Sequence, residues 1–282
     1  MNNWMKNVEG STRISEINIP GTHNSCTAFV FFPLLSRCQS LTVSQQLQGG
    51  IRFLDIRVRL GRGKLRLVHS VAPCFRKGII PRFLYLENVV EDCRKFLREN
   101  PSETIIFCLR REAGEDEKST LNFLLERFFS DSLFYTKSKI PTLDEVRGKI
   151  VILNRCKTSE SLDFIDKNTG IDVSGWSREI SEIPLKNGEN STDFLLVQDE
   201  FQMPRNEKWE VVKSLLDSPP ENCILINYLS AAVLPSTPTK YADFMVKSFE
   251  NYPLKKRKYG WIIFDYPTEI AIKNIVNSNF SG

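Results

Sequence analysis

The chain has 282 residues, 41% hydrophobic and 26% charged, with a formal net charge of +4. This balance describes a globular chain and excludes collagen-like, coiled-coil and compositionally disordered classes. So mild a charge excludes a typical nucleic-acid binder, although it suits an anionic surface or substrate.

Short apolar runs mark eight candidate strands in chain order: 14–19, 51–58, 65–69, 104–110, 149–155, 194–199, 223–228 and 261–265. Helical patterns lie between most of them. Leu86, Val89, Val90, Cys93, Phe96 and Leu97 form one apolar stripe, and Trp209, Val212, Leu215 and Leu216 form another behind an expected N-cap at Asn206. Strands alternating with helices over this length predict an α/β fold, a single irregular (β/α)8 TIM-type barrel spanning 1–282. The irregularity is expected after the second run, because Arg59 to Lys64 is too short for a crossover helix.

The longest apolar run, Ala28 to Leu35, is well short of the roughly 20 residues of a spanning helix, so no transmembrane segment is expected. The segment Met1-Asn2-Asn3-Trp4-Met5-Lys6 lacks the apolar centre of a signal peptide, which leaves a cytoplasmic location or secretion after loss of a leader. The seven cysteines include no CxxC and read as reduced core thiols, not a disulfide or zinc framework. The Lys255-Lys256-Arg257-Lys258 run precedes the last strand and is expected to be a solvated turn on the face away from the chemistry.

Barrel enzymes place their chemistry at the C-terminal strand ends. His23 follows the first run, Asp55 and Arg57 lie late in the second, and His69 closes the third. Arg110, Arg155, Asp199 and Asp265 close the fourth, fifth, sixth and eighth. Asp55 and Arg57 share parity, so an ion pair facing the barrel mouth satisfies both. The bland readings are a structural ion pair, charged strand ends meeting water, and histidines used only for packing. Against them stands the placement of both histidines of the chain at neighbouring strand ends.

The stretches Ile19-Pro20-Gly21-Thr22-His23-Asn24-Ser25, Gly50-Ile51-Arg52-Phe53-Leu54-Asp55-Ile56-Arg57, Val68-His69 and Ile263-Phe264-Asp265-Tyr266 resemble the phosphatidylinositol-specific phospholipase C X-domain family, above all its small bacterial single-domain members. The resemblance implies cleavage of phosphatidylinositol, or a glycosylated inositol lipid, to diacylglycerol and inositol 1,2-cyclic phosphate. His23 would be the general base, His69 the general acid and Arg57 the phosphate clamp. Asp265 would orient His23, and Asp55 would order Arg57 or His69. Arg110, Arg155 and Asp199 would meet inositol hydroxyls, and Phe201 would stack where bacterial relatives often carry tyrosine. Asn24 departs from the bacterial aspartate and is expected to weaken support of the general acid.

The calcium-dependent branch of the family also carries Asn at that position, but its acidic ligand positions correspond here to Phe53 and Arg110. Calcium needs six to eight oxygens, so no cofactor and calcium independence are expected. The expected partner is an inositol lipid at a membrane surface, met by a monomer. Phe29, Phe31, Phe32 and Leu34 on one loop, with Val233 and Leu234 on another, are the expected membrane contacts. Packing of these loops on each other as a lid is the competing reading. Two other functions remain open: a catalytically weak barrel that binds an inositol lipid or phosphoryl ligand, and a metal-dependent glycerophosphodiesterase-like enzyme.

Overall fold

The structure, a computed structural model, describes residues 1–156, 168–177, 180–185, 193–221, 223–233 and 237–280. Its strands are β1 (Ile19–Thr22), β2 (Phe53–Gly61), β3 (Lys64–His69), β4 (Ala72–Pro73), β5 (Ile105–Gly114), β6 (Phe134–Tyr135), β7 (Ile150–Asn154), β8 (Ile171–Asp172), β9 (Ser181–Pro184), β10 (Phe194–Gln198), β11 (Cys223–Tyr228) and β12 (Trp261–Phe264). The helices are α1 (Pro33–Ser36), α2 (Val43–Gly49), α3 (Leu86–Glu99), α4 (Glu117–Leu124), α5 (Leu143–Val146), α6 (Arg205–Asp217), α7 (Pro238–Glu250) and α8 (Glu269–Asn277).

Parallel ladders join β8-β7-β5-β2-β1-β12-β11-β10, and this curled wall makes an irregular (β/α)8 barrel. The wall differs from the expected set in two places. Ile14 to Ile19 does not extend as a strand: Ile14–Glu16 is a 3-10 turn, and its Ile14 carbonyl accepts the indole N–H of Trp261, which closes the barrel floor. Lys64–His69 is a strand but not a wall strand; the tight turn after Gly61 sends it back antiparallel along β2, with Val58 opposite Leu67. The eighth position of the wall is instead taken beside β7 by two two-residue parallel strands, β6 along its start and β8 along its end.

β2 and β5 run on together above the rim to the level of Leu60 and Gly114, so Arg110 lies within β5 and does not close it. Inside the barrel the rings of Trp261, Phe53 and Tyr228 form a continuous aromatic filling, with centroids 5.9 and 6.5 Å apart along that series. Gly21 is required by this filling, because a Cβ there would lie 2.4 Å from Ile263 Cδ1 and 2.8 Å from Phe53 Cβ. On the outside, the predicted stripe of α3 is buried in full. The N-cap of α6 is Pro204, one turn position before the helix begins at Arg205, so Asn206 falls inside the helix. Of the basic run, Arg257 donates to the Leu216 carbonyl at the C-terminus of α6 and Lys258 to the Cys223 carbonyl. The run therefore ties down its end of the barrel as well as meeting water. All seven cysteines are free and buried.

Candidate active site

β1 carries the chain to His23, whose backbone N–H donates to the Phe264 carbonyl at the end of β12. Asp265 follows that carbonyl, and its Oδ1 lies 2.8 Å from His23 Nδ1. A carboxylate accepts only, so Nδ1 carries the proton and Nε2 presents a lone pair. That lone pair faces Arg57 Nη2 at 3.0 Å and Asn24 Nδ2 at 2.9 Å.

Arg57 is fixed from two sides. Its Nε and Nη2 donate to Asp55 Oδ2 at 3.2 and 3.1 Å, and Nη1 donates to Glu112 Oε1 at 3.3 Å. The Asp55 oxygen also accepts the Asn24 backbone N–H at 3.1 Å. Burial alone would raise the Asp55 carboxyl, but the charges of Arg57 and Arg155 and the Asn24 backbone hydrogen bond outweigh it and hold the group well below the usual carboxylate range. Arg57 is raised in return: burial opposes its charge, and Asp55 with Glu112 more than compensates. Glu112 likewise stays below its ordinary value despite burial, through Arg57 and Arg110. The clamp is therefore a fully ionised unit throughout the neutral range.

His69 reaches the mouth from above, on the descending strand β3, and its ring centroid lies 6.3 Å from that of His23 at 81°. Its Nδ1 is 2.7 Å from the Ser36 carbonyl, at the end of the single turn α1. A carbonyl can only accept, so Nδ1 holds a proton and Nε2 is left for the cavity. Burial, then the charge of Arg57, lowers the pKa of His69 below its ordinary value.

Asn24 does not support this second ring. In the left-handed region at φ 44°, which asparagine tolerates, it turns its amide to His23 Nε2 and Cys38 Sγ. The expected weakening at the acid is replaced by a direct contact with the base. A backbone carbonyl, not a side chain at position 24, orients His69.

Arg155 stacks over Trp176, with its guanidinium carbon 3.7 Å from the ring centroid. The same indole donates to Asp199 Oδ2 at 3.1 Å, while Arg155 Nη2 lies 3.8 Å from that oxygen. Arg110 meets Glu112 at 3.4 Å, and Phe201 packs on the apolar cluster under α6 and α7. His23, Arg57, His69, Arg110, Arg155, Asp199, Phe201 and Asp265 all line one cavity of about 450 Å³; Asp55 and Asn24 lie buried behind it. Sequence reasoning missed Glu112 and Trp176. Glu112 shares parity with Arg110 on β5, a signal hidden in the charged triplet Arg110-Arg111-Glu112. Trp176 follows the two-residue β8 and offered no pattern.

Around the mouth Phe29, Phe31, Phe32 and Leu34 are exposed as expected, and Leu35, also exposed, borders the cavity. Val233 is instead half-buried, because it packs on the cluster of Tyr241, Met245 and Phe264; Leu234 lies outside the described residues. Among the described residues no helix is long and apolar enough to cross a membrane.

His23, Cys38 and Asp265 are near enough to share a metal ion, with ligand atoms all within 4.8 Å. The donor set fits poorly. Asp265 Oδ1 already takes the His23 proton, and burial with the Asp265 charge pushes the Cys38 thiol well above its ordinary value.

Residues 17–156 match the family model described as phosphatidylinositol-specific phospholipase C, X domain. The 1-phosphatidylinositol phosphodiesterase of Staphylococcus aureus (strain Newman) is 31% identical over 289 residues, covering 94% of this chain and 88% of that protein. The protein of the same name from Listeria monocytogenes serovar 1/2a is 28% identical over 295 residues, covering 98% and 84%. The solved phosphatidylinositol-specific phospholipase C from Listeria monocytogenes superposes with a TM-score of 0.78 at 26% identity, covering 99% of this chain and 98% of that one.

Proposed function

Since the chain belongs to the phosphatidylinositol-specific phospholipase C X-domain family, we propose that it cleaves phosphatidylinositol by metal-independent acid–base catalysis between two histidines. The observation that carries this reading is the pair of imidazoles facing one cavity across the fixed guanidinium of Arg57.

His23 Nε2 removes the proton of the inositol 2-hydroxyl, and that oxygen forms the new bond to phosphorus. The bond from phosphorus to the diacylglycerol oxygen breaks, and His69 Nε2–H supplies the proton to the departing oxygen. The products are diacylglycerol and inositol 1,2-cyclic phosphate. Arg57 donates to the nonbridging oxygens, where charge gathers in the transition state. In the free enzyme it points at His23 Nε2, so substrate phosphate replaces an imidazole as its partner. His69 must be protonated to act, although its surroundings favour the neutral ring. An arriving phosphate anion reverses that preference, which couples charging of the acid to substrate binding. Arg155, stacked on Trp176, and Asp199 present a donor and an acceptor suited to inositol hydroxyls.

Support for metal independence comes from the donor set. The carboxylates behind the phosphate position are Asp55 and Glu112, and both are bonded to Arg57, whose fixed charge stands where a cation would act. Acting at a bilayer as a monomer, the enzyme would use the exposed apolar turn Phe29, Phe31, Phe32 and Leu34 as its contact.

The test is phosphorus NMR of phosphatidylinositol vesicles incubated with the protein and a chelator. A cyclic phosphodiester resonance is expected. Its absence, with activity restored by calcium, would overturn the metal-independent mechanism; absence under both conditions would overturn the enzyme itself.

A further inference from the structure

The segment between His69 and α3 is more than a connection. Phe75 and Phe83 pair antiparallel, the Arg76 N–H donates to the Arg82 carbonyl at 2.8 Å, and the two phenyl rings stack at 5.5 Å and 20°. The Arg66 guanidinium caps the stack 3.6 Å from the Phe83 centroid. On this firm base stands an apolar tip: Ile79 is 102% exposed and Ile80 69%. Ile79 is the most exposed of the large apolar side chains among the described residues, and with Ile80 beside it the tip forms a second exposed apolar patch next to the turn at the mouth.

Cations ring the tip. Arg76 and Lys77 border a cavity that Glu91 and Asp92 also line, and Lys77 and Arg82 are exposed, with no ion pair among the described residues. The hairpin is also continuous with the apolar turn at the mouth. The Phe31 N–H donates to the Pro73 carbonyl at 3.0 Å, the Phe75 N–H donates to the Phe29 carbonyl at 2.7 Å, and Val30 bridges Cys74.

We propose that the hairpin 75–83 is a second membrane grip, specific for anionic lipid, which inserts Ile79 and Ile80 while Lys77 and Arg82 bind headgroups. Apolar side chains at a tip with cations at its shoulders match a bilayer's own layering, acyl chains below and negative charge above. A second copy of this chain fits worse, because a two-fold contact through the hairpin sets Lys77 and Arg82 against their own copies. The inference rests on the lipid-directed reading of the cavity for its purpose, but the grip itself needs no turnover.

The test is therefore sedimentation of the full chain with vesicles free of inositol lipid, either phosphatidylcholine alone or phosphatidylcholine mixed with phosphatidylglycerol. Wild type should favour the mixed vesicles and lose that preference in high salt. Lys77→Glu with Arg82→Glu should weaken binding to mixed vesicles on the order of tenfold or more, and Ile79→Ser with Ile80→Ser should weaken binding to both vesicle types. Both variants should keep the wild-type circular dichroism spectrum and wild-type turnover of a short-chain, monomeric phosphatidylinositol. If charge reversal prevents folding, Lys77→Gln with Arg82→Gln carries the same expectation. Unchanged partitioning in the folded variants would overturn the proposal. So would a concentration-dependent dimer, dissolved by the isoleucine substitutions, in a protein whose vesicle binding they leave intact. Loss of turnover with retained lipid preference would strike the catalytic reading and leave the grip standing.

Discussion

Arg52, just before β2, and Arg57, midway along it, anchor two arginine–carboxylate centres whose surroundings differ in kind. At the floor Arg52 is wholly buried between Trp4 and Phe96 and bonds Glu103 through Nε at 2.9 Å and Nη2 at 2.8 Å. Its other donors reach the carbonyls of Leu47, Ile51 and Asn2, while Glu103 also accepts from the Met5 N–H. Burial pulls the Arg52 pKa down to about 10, even against the charge of Glu103, and the group stays ionised at neutral pH. At the mouth, by contrast, Asp55 Oδ1, Asn24 Oδ1 and Arg155 Nη1 are buried without a hydrogen-bond partner among the described residues. A satisfied polar centre holds a structure in one state; an unsatisfied one keeps a cost that a ligand can relieve. Arginine–carboxylate centres built from the same residue types thus divide into a fastening and a site.

The sharpest way to break the comparison is to compare losses of rate with losses of stability. His23→Ala and His69→Ala should each lower kcat/KM by about 10²–10⁴-fold, with thermal unfolding scarcely altered. Arg57→Lys, which keeps the charge but loses the fork, should cost about 10²–10³-fold. At the floor the pattern should invert. Glu103→Gln leaves Arg52 charged and unpaired, so about 3–5 kcal/mol of stability should be lost while turnover per folded molecule stays near wild type. Urea unfolding beside active-site titration would separate the two effects; a rate loss at the floor exceeding the loss of folded protein would contradict the division.

A pH experiment comes next in size. The lowered pKa of His69 means that the free enzyme loses its acid before an ordinary histidine, near 6.5, would titrate, so kcat/KM should begin to fall with rising pH on the acid side of that value. Arg57→Gln should move the His69 titration upward, a shift readable from its ring proton by NMR. The sign for stability is fixed by the same lowering. Below about pH 6.5 the unfolded chain binds this proton more readily, so His69 penalises the fold as pH falls and is neutral above that range. Smaller still, Trp176→Ala removes the surface beneath Arg155 and should raise KM by about tenfold with a lesser change in kcat. Tyr228→Phe removes a buried hydroxyl without a partner among the described residues, and should leave stability equal or improved by about 1 kcal/mol.

Much of the architecture was legible because burial leaves a periodic trace. The buried stripe of α3 and the shared parity of Asp55 and Arg57 could be read directly from spacing. Ile14 to Ile19 misled because Ile14 and Ile17, buried on a 3-10 turn, give the apolar density of a strand without its extension. The two residues of β8 are too few to carry a period, and the support of His69 by the Ser36 carbonyl has no side-chain signature at all. Contacts made by backbone atoms depend on where a chain goes, and only secondarily on which residue is there.

The descent of β3 along β2 has a consequence for what variation the protein can tolerate. His69 is held in register by the pairing of Val58 with Leu67, well below the exposed turn at Arg62 and Gly63. Changes in the length of that turn can be absorbed above the rim without moving the imidazole. A slip of one residue within the ladder cannot, since it would turn His69 to the opposite face of the ribbon. The hairpin therefore has a permissive tip and an intolerant stem, and insertional scanning through residues 58–69 should find a boundary between them.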